Sequence, residues 1–120
     1  MNKKVLIVDD QRGIRFLLEE IIRSEGYRVR SCENGIQAFA EIERGEPDLI
    51  IVDYQLPIKN GAEIIKELES KGYLIPTIVM SGLIEEVKEV TAELQSVKDY
   101  FSKPFDIVKA KEQINYLLQG

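Results

Sequence analysis

Two uninterrupted apolar runs, Val5-Leu6-Ile7-Val8 and Leu49-Ile50-Ile51-Val52, and a third, Thr77-Ile78-Val79-Met80, dominate the hydrophobic pattern. None alternates with polar residues, as expected for strands covered on both faces in a parallel sheet. Each ends in polar residues or glycine: Asp9-Asp10, Asp53 and Ser81-Gly82. Tyr27 to Cys32 and Asp99 to Ser102 read as weaker strands. Helical periodicity fills the intervals. It is clearest where Ile14, Leu17, Leu18, Ile21 and Ile22 fall at i, i+3, i+4, i+7 and i+8, one apolar stripe that leaves Phe16 pointing to water. Further helices are predicted from about Gly35 to Arg44, Ala62 to Lys71, Glu85 to Leu94 and Asp106 to Leu118. Gly26, Gly45, Gly72, Pro47 and Pro76 punctuate the junctions.

Strand and helix therefore alternate without a linker or repeat, which predicts an α/β fold. Right-handed crossovers that cover both faces of five parallel strands favour a doubly wound sheet of order 2-1-3-4-5. In that order the first and third strands are neighbours whose helices leave toward opposite faces. A crevice opens at their C-terminal ends, and Asp9, Asp10 and Asp53 all end there.

Composition narrows the chemistry. The 120 residues, 44% apolar and 31% charged, suit one domain spanning 1–120 with no separate output module. With 21 acidic against 16 basic side chains, the net charge of -5 disfavours phosphate backbones and anionic lipids, so no direct nucleic acid or membrane partner is expected. A lone cysteine, Cys32, and the absence of histidine exclude an internal disulfide, Ser/His/Asp triads and the usual zinc sites. The N-terminal MNKKVLIVDD is too short in apolar residues for a signal or spanning segment, and the chain is read as cytoplasmic.

An aspartate after a strand commonly caps the next helix, which accounts for one carboxylate but not three. Clustered carboxylates repel and raise one another's pKa unless a cation neutralises them. Oxygen ligands without a dense carboxylate cage favour Mg²⁺ retaining some of its waters. Ser81 and Lys103 reach the same rim; singly they read as a turn hydroxyl and a solvated lysine. Together with a carboxylate nucleophile and a divalent cation they supply what a transferring phosphoryl group requires.

The ordered motifs VDD, IVD at Asp53, LP and NG at Leu56-Pro57 and Asn60-Gly61, MSG at Met80 to Gly82 and SKPF at Ser102 to Phe105 resemble a bacterial response-regulator receiver domain of the CheY-like, flavodoxin-like family. VDDQRGIR and SKPFDI resemble receivers of the sporulation phosphorelay type in particular. The resemblance implies that Asp53 accepts a phosphoryl group from a phosphohistidine. Asp10, Asp53 and the Gln55 carbonyl would bind Mg²⁺ with Asp9 in support, while Ser81 and Lys103 hold the phosphoryl oxygens. It also implies a cis Lys103-Pro104 bond and a switch role for Tyr100, which equally reads as a half-buried strand tyrosine. Asn60 replaces the family's usual Asp before the loop glycine, and Ser96-Val97 replaces a common Gly-Ala, leaving the surface around the fourth helix and fifth strand open.

The partner implied is a histidine kinase or histidine phosphotransferase, followed either by relay to a second histidine or by altered binding to a downstream effector protein. Without histidine, the chain cannot be the phosphohistidine donor. On this reading it catalyses its own Mg²⁺-dependent phosphorylation and dephosphorylation without being an enzyme in the usual sense. A phosphatase using an aspartyl-phosphate intermediate, of the haloacid-dehalogenase type, would carry a second acid where Gln55 stands. A phosphorylation-independent binding module would usually have lost site residues. Ile14, Leu17, Pro104 and Phe105 could form an apolar collar for a partner's helical bundle, with Gly13 permitting close approach, or Ile14 and Leu17 could be ordinary core.

Overall fold

In the computed structural model, which describes residues 2–119, the apolar runs form the centre of a five-stranded sheet. The strands are β1 (Lys4–Val8), β2 (Arg28–Cys32), β3 (Leu49–Asp53), β4 (Thr77–Ser81) and β5 (Val97–Ser102). The helices are α1 (Arg12–Ser24), α2 (Gly35–Arg44), α3 (Gly61–Ser70), α4 (Ile84–Thr91) and α5 (Ile107–Gln119). All pairings are parallel in the order β2-β1-β3-β4-β5, as expected for the doubly wound arrangement.

Because successive side chains of a strand point to opposite faces, each apolar run feeds two cores. Leu6, Val8, Ile50, Val52 and Val79 pack with Ala38, Ile42, Ile64, Leu68 and Val87 on the side of α2, α3 and α4. Val5, Ile7, Leu49, Ile51, Ile78 and Met80 pack with Leu18, Ile22, Ala110, Ile114 and Leu118 on the side of α1 and α5. Each buried Val, Leu, Ile or Met among them contributes roughly 1.5–3 kcal/mol. A polar clamp holds α5 to the turn before β2: Gln119 Nε2 donates to the Tyr27 hydroxyl at 2.8 Å, and Asn115 Nδ2 donates to Glu25 Oε1 at 2.8 Å.

The entry to α3 fixes the strand end that matters most. Asn60 accepts from the Glu63 amide at 2.9 Å while Glu63 accepts from the Asn60 amide at 2.8 Å, a reciprocal cap that Asn makes as well as the family's Asp. Gly61 follows because nothing larger fits: a Cβ there would lie 2.8 Å from the Asp53 carbonyl oxygen. Its amide donates to the Tyr54 carbonyl at 2.8 Å, folding the loop back beneath Asp53.

Several boundaries differ from the sequence expectation. Tyr27 precedes β2 rather than starting it, and β5 begins at Val97 rather than Asp99. The fourth helix ends at Thr91, short of the expected Leu94. Its early stop has a cause in α3: Glu69 Oε2 accepts from the Ser96 amide at 2.9 Å and from its hydroxyl at 2.6 Å, pulling the chain into β5.

Candidate functional site

Register brings the strand-end residues together. Val8 pairs with Val52, so Asp9 and Asp53 leave adjacent strands at the same level, and Asp53 is in register with Met80, next to Ser81. The Lys103 amide donates to the Ser81 carbonyl at 2.9 Å, which extends the β4–β5 pairing to the lysine. The Lys103-Pro104 bond is cis, as expected. Asp10, Gln11, Asp53, Gln55, Ser81, Gly82 and Lys103 line an open cavity of about 380 Å³.

Within it, Lys103 Nζ lies 3.1 Å from Asp53 Oδ2 and 3.2 Å from Asp9 Oδ2, and donates to Gln11 Oε1 at 3.4 Å. Asp9 is fully buried. Its other oxygen accepts from the Gln11 amide at 2.8 Å, so both carboxylate oxygens are engaged and Asp9 stands behind the cavity as a fixed counter-charge. Arg15 Nη1 donates to the Asp9 carbonyl at 2.8 Å, bracing the same turn from α1. Asp53 is only 5% exposed, and its Oδ1 accepts a long bond of 3.4 Å from the Gln55 amide. Burial raises the Asp53 carboxyl above its ordinary range, and the Asp9 charge adds to the rise. The Lys103 ammonium and the Gln55 amide oppose it.

Carboxylate oxygens of Asp9, Asp10 and Asp53 lie within 4.8 Å of one another, close enough to share one cation. Three converging carboxylates served by one ammonium leave uncompensated negative charge, and exposed Asp10 faces the open side. That donor set of hard oxygens fits Mg²⁺. Ser81 is buried, and its Oγ accepts from the Leu83 amide at 2.9 Å, leaving its own proton free to be donated into the cavity.

The remaining expected residues sit around this centre. Tyr100 is half-buried, with its hydroxyl 2.6 Å from Thr91 Oγ1 and Lys88 Nζ 5.7 Å from its ring. Gly13 and Pro104 are exposed, and nothing lies within 4 Å of a Cβ built on Gly13. Leu17 is exposed, whereas Ile14 and Phe105 are half-buried against the core beneath α1 and α5. Phe105 stacks on Phe101 with ring centres 5.7 Å apart. The collar thus divides into two open positions and two that also serve packing. Phe16 faces water as expected. Gln11 and Thr91 carry no role in the sequence reading, and Gly82 only its place in the MSG motif; of the first two, Gln11, within VDDQRGIR, has a local signal.

A parallel sheet of this order with three carboxylates, a hydroxyl and a lysine at its central crevice defines a response-regulator receiver of two-component systems. The chain belongs to that family: residues 5–115 match the response regulator receiver domain. It is 37% identical over 123 residues to sporulation initiation phosphotransferase F of Bacillus subtilis, covering 98% of this chain and 95% of that protein. Its fold superposes on the chemotaxis response regulator CheY4 of Vibrio cholerae with a TM-score of 0.88 at 25% identity, covering 98% of this chain and 100% of that one. Response regulator protein TrrA of Thermotoga maritima, solved in complex with Mg²⁺-BeF, gives a TM-score of 0.84 at 30% identity, over 97% of this chain and 99% of that one. Receivers of this family are phosphoacceptors in phosphorelay signalling. Among the described residues, no helix is long and apolar enough to cross a membrane.

Proposed function

We propose that Asp53 is the phosphoacceptor of this receiver, working in the cytoplasm, and that residues 1–120 act as one receiver domain. The observation that carries the reading is the position of Asp53: nearly buried, 3.1 Å from Lys103, in one cavity with Ser81 and Asp10. Asp10, Asp53 and the Gln55 carbonyl would hold Mg²⁺, with Asp9 behind them. The ion would offset the repulsion among the carboxylates and the charge on the phosphoryl oxygens.

A carboxylate oxygen of Asp53 attacks the phosphorus of a phosphohistidine on a histidine kinase or phosphotransferase. The P–N bond breaks, and its electron pair leaves on the imidazole nitrogen. Lys103 exchanges one carboxylate partner for a phosphoryl oxygen, and Ser81 donates to another. The group is then passed to a second histidine, or it alters partner binding through Ser81 and Tyr100. The likeness to a sporulation phosphotransferase favours relay. The same pocket catalyses transfer from small phosphoryl donors.

The test is labelling by acetyl phosphate with Mg²⁺, read by mass spectrometry. One phosphoryl group on Asp53, lost in Asp53→Asn and on chelation, is expected; stable phosphate on Ser81, or labelling indifferent to chelator, would sink the assignment. For the docking half, Leu17→Ala should lower the transfer rate from a phosphohistidine protein about tenfold, the loss of one interface anchor. Its labelling by acetyl phosphate should be unchanged. Equal losses with both donors would make Leu17 a packing residue and dismiss the collar.

A further inference from the structure

Beside the acidic pocket a second groove opens between the segment after β3 and one side of α4. Tyr54, Leu83, Val87 and Val90 line it, and Gln55, Ser81 and Gly82 form the wall it shares with the pocket; its volume is about 240 Å³. Leu83 and Val90 are 58% and 56% exposed. At 100° per residue they fall on one stripe with Val87, which is buried. The stripe therefore runs from core to solvent and leaves its outer edge uncovered.

Charge on α4 is divided about that stripe. Glu86 and Glu89 lie on the solvent side of it, and Glu93 follows in the turn after the helix. All three are exposed, and none forms an ion pair among the described residues. The lysine of α4, Lys88, stands on the opposite side, where it pairs with Glu85 at 3.9 Å and lies over the Tyr100 ring. An apolar floor with an unpaired acidic rim complements an apolar stripe with a basic flank, in a chain of net charge -5 that already attracts cationic segments.

We propose that this groove is a docking site for a basic amphipathic helix of a partner protein, lying between Tyr54 and α4 with lysines or arginines against Glu86, Glu89 and Glu93. Its mouth is tied to the pocket through the Leu83 amide, which donates to Ser81 Oγ at 2.9 Å. No side chain caps the N-terminus of α4, so this bond is a direct tether of the helix start to the pocket. On the phosphoacceptor reading, Ser81 turning toward a phosphoryl oxygen carries Leu83 with it and alters the groove.

The test titrates the isotopically labelled full chain with a synthetic helix of leucines flanked by lysines, followed by amide NMR. Its counterpart with glutamates in place of the lysines is the control. Shifts centred on Tyr54, Leu83 and Val90 are expected with the basic helix and not with the acidic one. Val90→Asp should weaken binding about tenfold, as loss of one apolar anchor does. The triple change Glu86→Gln, Glu89→Gln, Glu93→Gln should weaken it by about threefold to tenfold and flatten its salt dependence. The triple change Glu33→Gln, Glu43→Gln, Glu46→Gln, which removes equal charge elsewhere, should leave it intact. Shifts centred on α1 or the acidic pocket, equal losses in the two triple variants, or binding indifferent to Val90→Asp would overturn the proposal. Both arms are repeated with beryllofluoride and Mg²⁺, with acetyl phosphate labelling measured on beryllofluoride-free aliquots of the same preparations. Unchanged affinity in protein that labels normally at Asp53 would refute the tether; failed labelling with intact binding would strike the phosphoacceptor reading and leave the groove standing.

Discussion

Among the described residues, Lys103 is the only cation paired with Asp9 and Asp53, two carboxylates almost completely withdrawn from water, and its removal should be felt as stability before it is felt as function. The ammonium lies 3.1 Å from Asp53 and 3.2 Å from Asp9, with side chains 20%, 7% and 0% exposed in turn. At an effective dielectric of about 20, each contact is worth about 5 kcal/mol of gross attraction. Desolvation of the three groups returns much of that. Truncating one partner leaves the desolvation in place and removes the attraction, a net loss of about 3 to 5 kcal/mol. In Lys103→Ala without Mg²⁺ at neutral pH, the urea midpoint should therefore fall by about 2 M, for a denaturant slope typical of small domains. The loss should shrink on acidification: burial, and then the Asp9 charge, raises the folded Asp53 carboxyl, so the folded state holds a proton that the unfolded chain releases, and stability falls as pH rises through that interval. Adding Asp53→Asn to the variant should recover at least half the loss, because a single carboxylate no longer faces another. A midpoint within about 0.5 M of wild type, at unchanged slope, would mean that solvent already screens the pairs.

The same electrostatics predict that Asp53→Asn alone melts higher than wild type in chelator at pH 7. The folded carboxyl is raised, chiefly by burial and then by Asp9, so its charging opposes folding above that range. The advantage should vanish as pH falls toward the ordinary aspartate value of 3.8; an advantage that persists in acid would assign the effect to packing. Gly61→Ala should cost about 1–3 kcal/mol by overpacking, since its Cβ would meet the Asp53 carbonyl at 2.8 Å and the Tyr54 Cα at 3.1 Å, both backbone atoms. It should also slow acetyl phosphate labelling, and a variant with wild-type stability and rate would show that the loop yields freely.

What the sequence disclosed and what it concealed divide along physical lines. β1, β3 and β4 were legible because burial on both faces writes an unbroken apolar run, whatever the surroundings. β5 was not read in full: it is an edge strand, its Lys98 is exposed, and an irregularity between Thr77 and Ile78 separates the Val97 pairing from the rest. α4 buries only Val87 and Thr91 among glutamates and a lysine, too few apolar positions for periodicity to locate its end. The carboxylates were legible because a charged residue closing an apolar run is conspicuous. The Lys103 contact with Asp9, the Gln11 contact with Lys103 and the Glu69 hold on Ser96 were not, because each joins residues distant in sequence through side chains that would be unremarked on any surface. Ser96 in place of the family's common glycine is explained by Glu69, which uses both its amide and its hydroxyl.

The sequence is compatible with two roles for Tyr100, a switch and a half-buried strand residue, and Thr91 decides what its side chain does in the structure. The Thr91 hydroxyl has one proton and donates it to the Val87 carbonyl at 2.8 Å, so the 2.6 Å contact with Tyr100 requires the phenol to be the donor. Thr91 is almost wholly buried, and the bond draws the ring inward beneath Lys88. Thr91→Val keeps the shape but removes the acceptor. The phenol must then remain inward without a partner, at about 1–3 kcal/mol, or turn outward to water and give up its packing. Tyr100→Phe removes the donor instead, and either single change should cost about 1 kcal/mol. If the two groups act only through each other, the double variant should be no less stable than the worse single one, a coupling of about 1 kcal/mol in a double-mutant cycle. The ring resonances of Tyr100 should shift in Thr91→Val alone. Additive losses, or a tyrosine spectrum unchanged by Thr91→Val, would mean that the strand's own packing, and not Thr91, holds the ring inward.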